Sequence, residues 1–162
     1  MRLVAIALIL LSLGACATPE PVSTPAGPQS AQTIWDEGQR AYLYWNRTRM
    51  GWMETDSGIQ ARRISRRGVG PRPEETDTVT IHYVGKLITG TEFDSSRARN
   101  QPATFPLPQL IRGWQEVVPM MRKGETWEFV IPAELAYGSR NRAPIPPNST
   151  LLFEIELIDF RS

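Results

Sequence analysis

From Ile59 onward apolar and polar positions alternate along the chain in short bursts. Val79, Ile81 and Tyr83 alternate with Thr80, His82 and Val84, which predicts a half-buried strand closed by Gly85. Leu87-Ile88 leads into Thr89-Gly90-Thr91, a turn signal ahead of Glu92-Phe93-Asp94. Trp127, Phe129 and Ile131 alternate with Glu128 and Val130, between Gly124-Glu125 and Pro132. Leu151, Phe153, Ile155 and Leu157 repeat the pattern with Glu154 and Glu156 between them. Ile59, Ala61 and Ile64 give a more ragged first strand, ended by Gly68-Val69-Gly70-Pro71. Two stretches follow the helical period instead. Ile111, Trp114, Val117 and Met121 share one face of a short helix, preceded by irregular chain rich in proline (Pro102, Pro106, Pro108). Gly113 allows close approach to that helix, and Pro119 would truncate or bend it. Ile34 to Arg47 is the other, capped by Thr33, with Ile34, Ala41 and Trp45 in one stripe and Tyr42 alongside. It spans few turns, so it should pack on the domain; a dimer seam or a membrane contact are the alternatives for its aromatics. The pattern as a whole predicts an α+β fold, an antiparallel β-sheet wrapped over a short central α-helix and preceded by a short N-terminal helix.

The front of the chain has a different character. Arg2 precedes an apolar run from Leu3 to Leu11, too short for a comfortable membrane span and suited to a secretory signal peptide over 1–15. It ends in Leu13-Gly14-Ala15-Cys16, which resembles the bacterial lipoprotein box, in which the Cys becomes a lipidated first residue. Cys16 is the single cysteine of the chain, so no intramolecular disulfide is available. Ala17, where Asp could stand, would favour the outer membrane in a Gram-negative cell. Residues 16–32 read as the lipidated Cys and a disordered tether, 33–50 as the helical segment and 51–162 as the folded domain.

Charge and candidate chemistry mainly exclude. The net charge is +1, and the one basic concentration, Arg62-Arg63 with Arg66-Arg67, reads as the solvated side of a strand, so nucleic acid is not expected as a partner. His82 is the only histidine; a triad drawn from Ser95 or Ser96, His82 and Asp94 lacks any nucleophile elbow. There is no CxxC, HExxH or paired-carboxylate motif and no glycine-rich phosphate loop, so neither metal nor cofactor is expected. What remains is a set of aromatic and aliphatic residues beside loops.

Those residues resemble the FKBP-type peptidyl-prolyl cis-trans isomerases from about Ser57 to Phe160. The blocks that carry the resemblance are Val79-Thr80-Ile81-His82-Tyr83-Val84-Gly85 and Gly90-Thr91-Glu92-Phe93-Asp94-Ser95-Ser96. Leu110-Ile111-Arg112-Gly113-Trp114, Leu135-Ala136-Tyr137-Gly138 and Ile145-Pro146-Pro147-Asn148-Ser149-Thr150-Leu151 follow in the family's order. The resemblance implies that 51–162 is an isomerase domain with Trp114 as pocket floor and Tyr83, Phe93 and Phe153 as aromatic walls. It places Leu110 and Ile111 at one side, Tyr137 at the rim with its hydroxyl free for a substrate carbonyl, and Ile145 closing the far side. Asp94 would sit at the edge, tied to Tyr83 and Arg99. The implied substrates are proline-containing polypeptides of the cell envelope, the alternative being a non-catalytic chaperone or scaffold that uses the same groove. A monomer is expected, since the long dimerising helices of some bacterial relatives have no room here. The chain departs from the family at Ala103, where an aromatic is common, and in the shorter loop between Phe105 and Leu110. It departs again in the basic loop Ser139-Arg140-Asn141-Arg142-Ala143, whose arginines read as solvated.

Overall fold

The computed structural model describes residues 30–65 and 68–162. The expected signal segment, Cys16, nearly all of the expected tether and the pair Arg66-Arg67 lie outside the described residues. Helix α1 spans Ala31–Arg47 and is followed by strands β1 (Met53–Glu54) and β2 (Gln60–Arg63). Then come β3 (Thr78–Leu87), β4 (Glu92–Ser95), β5 (Ala103–Pro106) and helix α2 (Arg112–Val117). Strands β6 (Thr126–Ile131) and β7 (Leu151–Arg161) complete the set. All seven strands join one sheet in the order β1-β2-β6-β7-β3-β4, with β5 paired to the first half of β3, and every pairing is antiparallel. The expected class, an antiparallel sheet over a short helix, is what the chain builds.

Alternation does the work in the long central strands. Along β3 the buried positions are Val79, Ile81, Tyr83, Gly85 and Leu87, and along β7 they are Leu151, Phe153, Ile155 and Leu157. These side chains meet Trp114 and Val117 of α2 and the buried Leu107, Val118 and Met121 around it in one core. Helix α2 is only six residues long and passes into a 3-10 turn, Val118–Met120, that contains Pro119. A proline has no N–H to continue the α-helical ladder, so the helix stops there. Gly113 sets the height of α2 on the sheet: a Cβ there would stand 2.5 Å from Cγ2 of Ile131.

Four local expectations need correction. Gly85 does not close a strand; β3 runs on to Leu87, and the glycine lies mid-strand because a Cβ would strike the ring of Phe93 at 2.7 Å. Ile64 is 46% exposed and outside β2, whereas Ile59 and Ala61 are fully buried. The proline-rich chain before α2 contains β5, which tolerates Pro106 at its end because it is short and marginal to the sheet. Helix α1 is capped by Ser30, whose hydroxyl accepts from Thr33 N–H, and it packs through a different face from the apolar stripe. Ile34, Ala41 and Trp45 face solvent, while Gln39 and Asn46 are the buried residues of the helix. Gln39 accepts from Thr150 N–H at 2.9 Å, Asn46 donates to Gln60 at 2.8 Å, and Gln60 donates to the carbonyl of Leu43 at 2.8 Å. The helix is therefore hooked to the sheet by amides, with Trp35 as its partly buried apolar contact.

Candidate active site

Several elements converge on one cavity of about 230 Å³ beside α2. Strand β3 brings Tyr83, β4 brings Phe93 and Asp94, β5 brings Phe105, and β7 brings Phe153. Leu110, Ile111 and Trp114 come from the start of α2, and Tyr137 and Arg142 from the loop ahead of β7. Trp114 is 4% exposed and stands edge-on to both Tyr83 and Phe153, with ring centroids 5.3 and 5.1 Å away. Phe93 meets Phe153 edge-on at 5.7 Å. Each edge-to-face contact sets the positive rim of one ring on the negative face of the next, an arrangement that favours this mutual orientation of the rings.

Its one carboxylate is fully engaged. The Tyr83 hydroxyl donates to Asp94 Oδ2 at 2.5 Å, Arg99 Nη1 lies 2.5 Å from Oδ1, and Arg99 Nη2 donates to the Tyr83 oxygen at 3.0 Å. Desolvation works to raise the Asp94 pKa, but the bonds from Tyr83 and Arg99 outweigh it and hold the carboxyl below its ordinary value. Burial, and then the bond to Asp94, push the Tyr83 phenol above its ordinary value. Near neutral pH this corner is therefore a fixed arrangement of ionised Asp94 and neutral Tyr83.

His82 points away from the cavity, on the opposite face of β3, and shares a hydrogen bond of 3.0 Å with Ser96 Oγ. Ser96 is fully buried and also accepts from Tyr83 N–H at 2.8 Å. Since Asp94 turns to Tyr83 and Arg99, no Ser-His-Asp relay forms. Among the described residues no group of His, Cys, Asp and Glu could hold a metal ion.

Of the residues expected from sequence, the cavity gathers Tyr83, Phe93, Asp94, Leu110, Ile111, Trp114, Tyr137 and Phe153, with Arg99 bonded at its edge. Ile145 is buried in the core and is not on the cavity wall. Phe105 and Arg142 are additions. Phe105 lies two residues beyond Ala103 on β5 and reaches Tyr83 at 6.3 Å, so the wall opened at 103 is partly closed at 105. Arg142 stands over the Tyr137 ring, 4.6 Å from its centroid. A larger cavity of about 300 Å³ lies on the outer face of the sheet against Tyr42 and Trp52, but it lacks an aromatic box, and its Arg62 and Glu128 are paired with each other.

The family model described as FKBP-type peptidyl-prolyl cis-trans isomerase matches residues 70–158. The chain is 49% identical over 132 residues to the FKBP-type 22 kDa peptidyl-prolyl cis-trans isomerase of Escherichia coli (strain K12), covering 81% of this chain and 63% of that protein. It is 45% identical over 122 residues to the Outer membrane protein MIP of Legionella longbeachae, covering 75% of this chain and 52% of that one. Among solved structures, FkpA from Escherichia coli superposes with a TM-score of 0.76 at 37% identity over 80% of this chain and 61% of the other. A peptidyl-prolyl cis-trans isomerase from Pseudomonas syringae pv. tomato gives 0.75 at 32% identity, over 84% of this chain and all of the other. The chain thus spans less than two thirds of the length of these curated relatives.

Proposed function

The chain belongs to the FKBP-type peptidyl-prolyl cis-trans isomerase family, and from that premise we propose that its domain, residues 51–162, accelerates cis-trans rotation of X–Pro bonds in polypeptides. The observation that carries this reading is an aromatic box, Tyr83, Phe93, Trp114 and Phe153, whose only carboxylate is already neutralised by Arg99. Rotation about a peptide bond makes and breaks no covalent bond; its barrier of about 18–20 kcal/mol is the loss of amide resonance. As the amide twists, the carbonyl sheds part of its dipole, and a pocket of rings accepts that state better than the planar amide. That difference in binding is the catalysis. Trp114 forms the floor under the prolyl ring, Leu110 and Ile111 flank it, and the Tyr137 hydroxyl, which has no hydrogen-bond partner among the described residues, donates to the rotated carbonyl. Lowering the barrier by about 5 kcal/mol gives between three and four decades in rate.

The same reading places the protein in a bacterial envelope, as the outer-membrane name of the Legionella relative suggests for that protein. Cys16 would be the acylated first residue after removal of 1–15, with 16–32 as tether and 33–50 as a helical segment beside the domain. Several acyl chains anchor firmly where one is marginal. A protease-coupled assay on a Leu-Pro peptide tests the activity: turnover no faster than the uncatalysed rate refutes it. Mass spectrometry of the mature N-terminus, with a Cys16→Ser variant, tests the anchor; an unmodified Cys16 removes it.

A further inference from the structure

We infer that, among charged residues flanking the proline, the site favours acidic over basic ones, with Arg142 as the specificity-determining group; this rests on the reading of the pocket as a proline site. The cavity of about 230 Å³ has room for a prolyl ring and its amide. The residues on either side of the proline must then lie at its rim. Of the charges there, Asp94 and Arg99 are bound to each other and cancel. Arg142 lines the cavity and has no carboxylate partner among the described residues, and neither does Arg140 beside it. The mouth therefore presents net positive charge.

Arg142 also differs from an ordinary surface arginine in how it is held. Its carbonyl accepts from Ile145 N–H at 2.7 Å and its N–H donates to the Ile145 carbonyl at 3.3 Å. Ile145 is only 5% exposed, so this two-way bridge ties the arginine backbone to the core. Below, Asn148 N–H donates to the Gly138 carbonyl at 2.8 Å and closes the base of the loop. The guanidinium rests on the Tyr137 ring, the residue whose hydroxyl faces the substrate in the proposed mechanism. Stacking leaves the edge of the guanidinium, with its N–H donors, open to a carboxylate. A glutamate next to the proline meets a pre-placed cation; a lysine there meets repulsion.

The test compares peptides identical except for Glu, Leu or Lys on either side of the proline, by kcat/KM and by calorimetric binding. At low salt the Glu peptide should exceed the Lys peptide by about 2- to 5-fold, the size of one exposed ion pair. The ratio should approach one in ~0.5 M NaCl, where screening reaches within a few ångströms. Arg142→Gln should erase the ratio, and Arg142→Glu should invert it. A wild-type ratio at or below one, or a ratio unchanged in both variants, overturns the inference. Glu-over-Lys binding without turnover of any peptide would remove the isomerase reading and keep the charge preference. Turnover with equal rates and equal binding would remove the charge preference alone, and no binding by any peptide would overturn both.

Discussion

Replacing Gly85 by alanine probes whether the aromatic box is positioned from beneath. The new methyl would stand 2.7 Å from both Cε2 and Cζ of Phe93 and 2.9 Å from Cε1 of Phe153. Carbon atoms in contact prefer about 3.5–4.0 Å, so the rings must retreat by roughly 0.6–1.3 Å. Overpacking of this kind costs about 1–3 kcal/mol, partly offset by about 0.4–1 kcal/mol from the stiffer unfolded chain. The expected net loss is about 1–2 kcal/mol, or a fall in Tm of several degrees. The effect on rate should be larger. Phe93 and Phe153 are packed edge to face, and Phe153 bears on Trp114, so a shift of either ring reaches the pocket floor. A misplacement of about 1 Å can cost on the order of a hundredfold in rate, and we expect kcat/KM on a Leu-Pro peptide to fall at least tenfold. The control is Gly38→Ala on α1, where a Cβ meets nothing within 4 Å and helix propensity predicts a gain of up to about 1 kcal/mol. Thermal melts and the protease-coupled assay on both variants suffice. If Gly85→Ala keeps its kcat/KM within twofold, the rings are not held from below and the reasoning is wrong.

Other expectations follow from the charged groups and the floor. Glu125, 2% exposed, accepts from the N–H groups of Gly68 and Arg122 and from Trp127 Nε1; desolvation opposes its ionisation, but these bonds prevail and lower its pKa. Its stabilisation is therefore complete above the unfolded carboxyl value near 4.3 and is lost as pH falls through the lower folded value. Glu125→Gln should lose about 2–4 kcal/mol at neutral pH in urea titrations, and the gap to wild type should narrow in acid; a gap independent of pH would count against this. With Asp94 held low and Tyr83 held high, turnover should be flat from about pH 5.5 to 8.5 and little slowed by heavy water, and an inflection that vanishes in His82→Ala would make His82 catalytic. Asp94→Leu should cost under about 1 kcal/mol of stability, because the Arg99 pair is exposed, yet lower kcat/KM at least tenfold; wild-type turnover would leave Asp94 a turn residue. Trp114→Ala should lose about 3–5 kcal/mol and most activity, measured by urea melts and the peptide assay.

The parts of this molecule that obey a hydrophobic period could be read directly. Strands β3 and β7 alternate because one face is buried, β6 does so only as far as Phe129 because Val130 is buried on its other face, and Trp114 with Val117 marked the face of α2. What the period misses is whatever is held by something else. The docking face of α1 was hidden because Gln39 and Asn46 bury amides, while the apolar Ile34, Ala41 and Trp45 lie outside. Strand β5 was hidden by its prolines, and with it went Phe105, although its place two residues after Ala103 on an extended segment was a usable signal. Ile145 and Arg142 exchanged roles through the bridge between them: the apolar residue sank into the core and the charged one came to the rim. A register inside a loop leaves no trace in composition.

The position of β7 has a consequence for the order in which the protein can fold. It is the longest strand and follows all the others in sequence, yet it lies between β6 and β3 in the middle of the sheet. Its register joins Thr78 to Arg161 and Leu87 to Leu151, so the core-bearing ladder of β3 must wait for residues made much later. Pairings this distant close slowly, because loop entropy is lost before any contact compensates it. During synthesis the segment Val79–Leu87 can recruit only the short β4 and β5. Until residue 161 emerges, the edge of β3 that β7 will occupy stays unpaired, and the apolar face of that strand lacks the neighbour that completes its core.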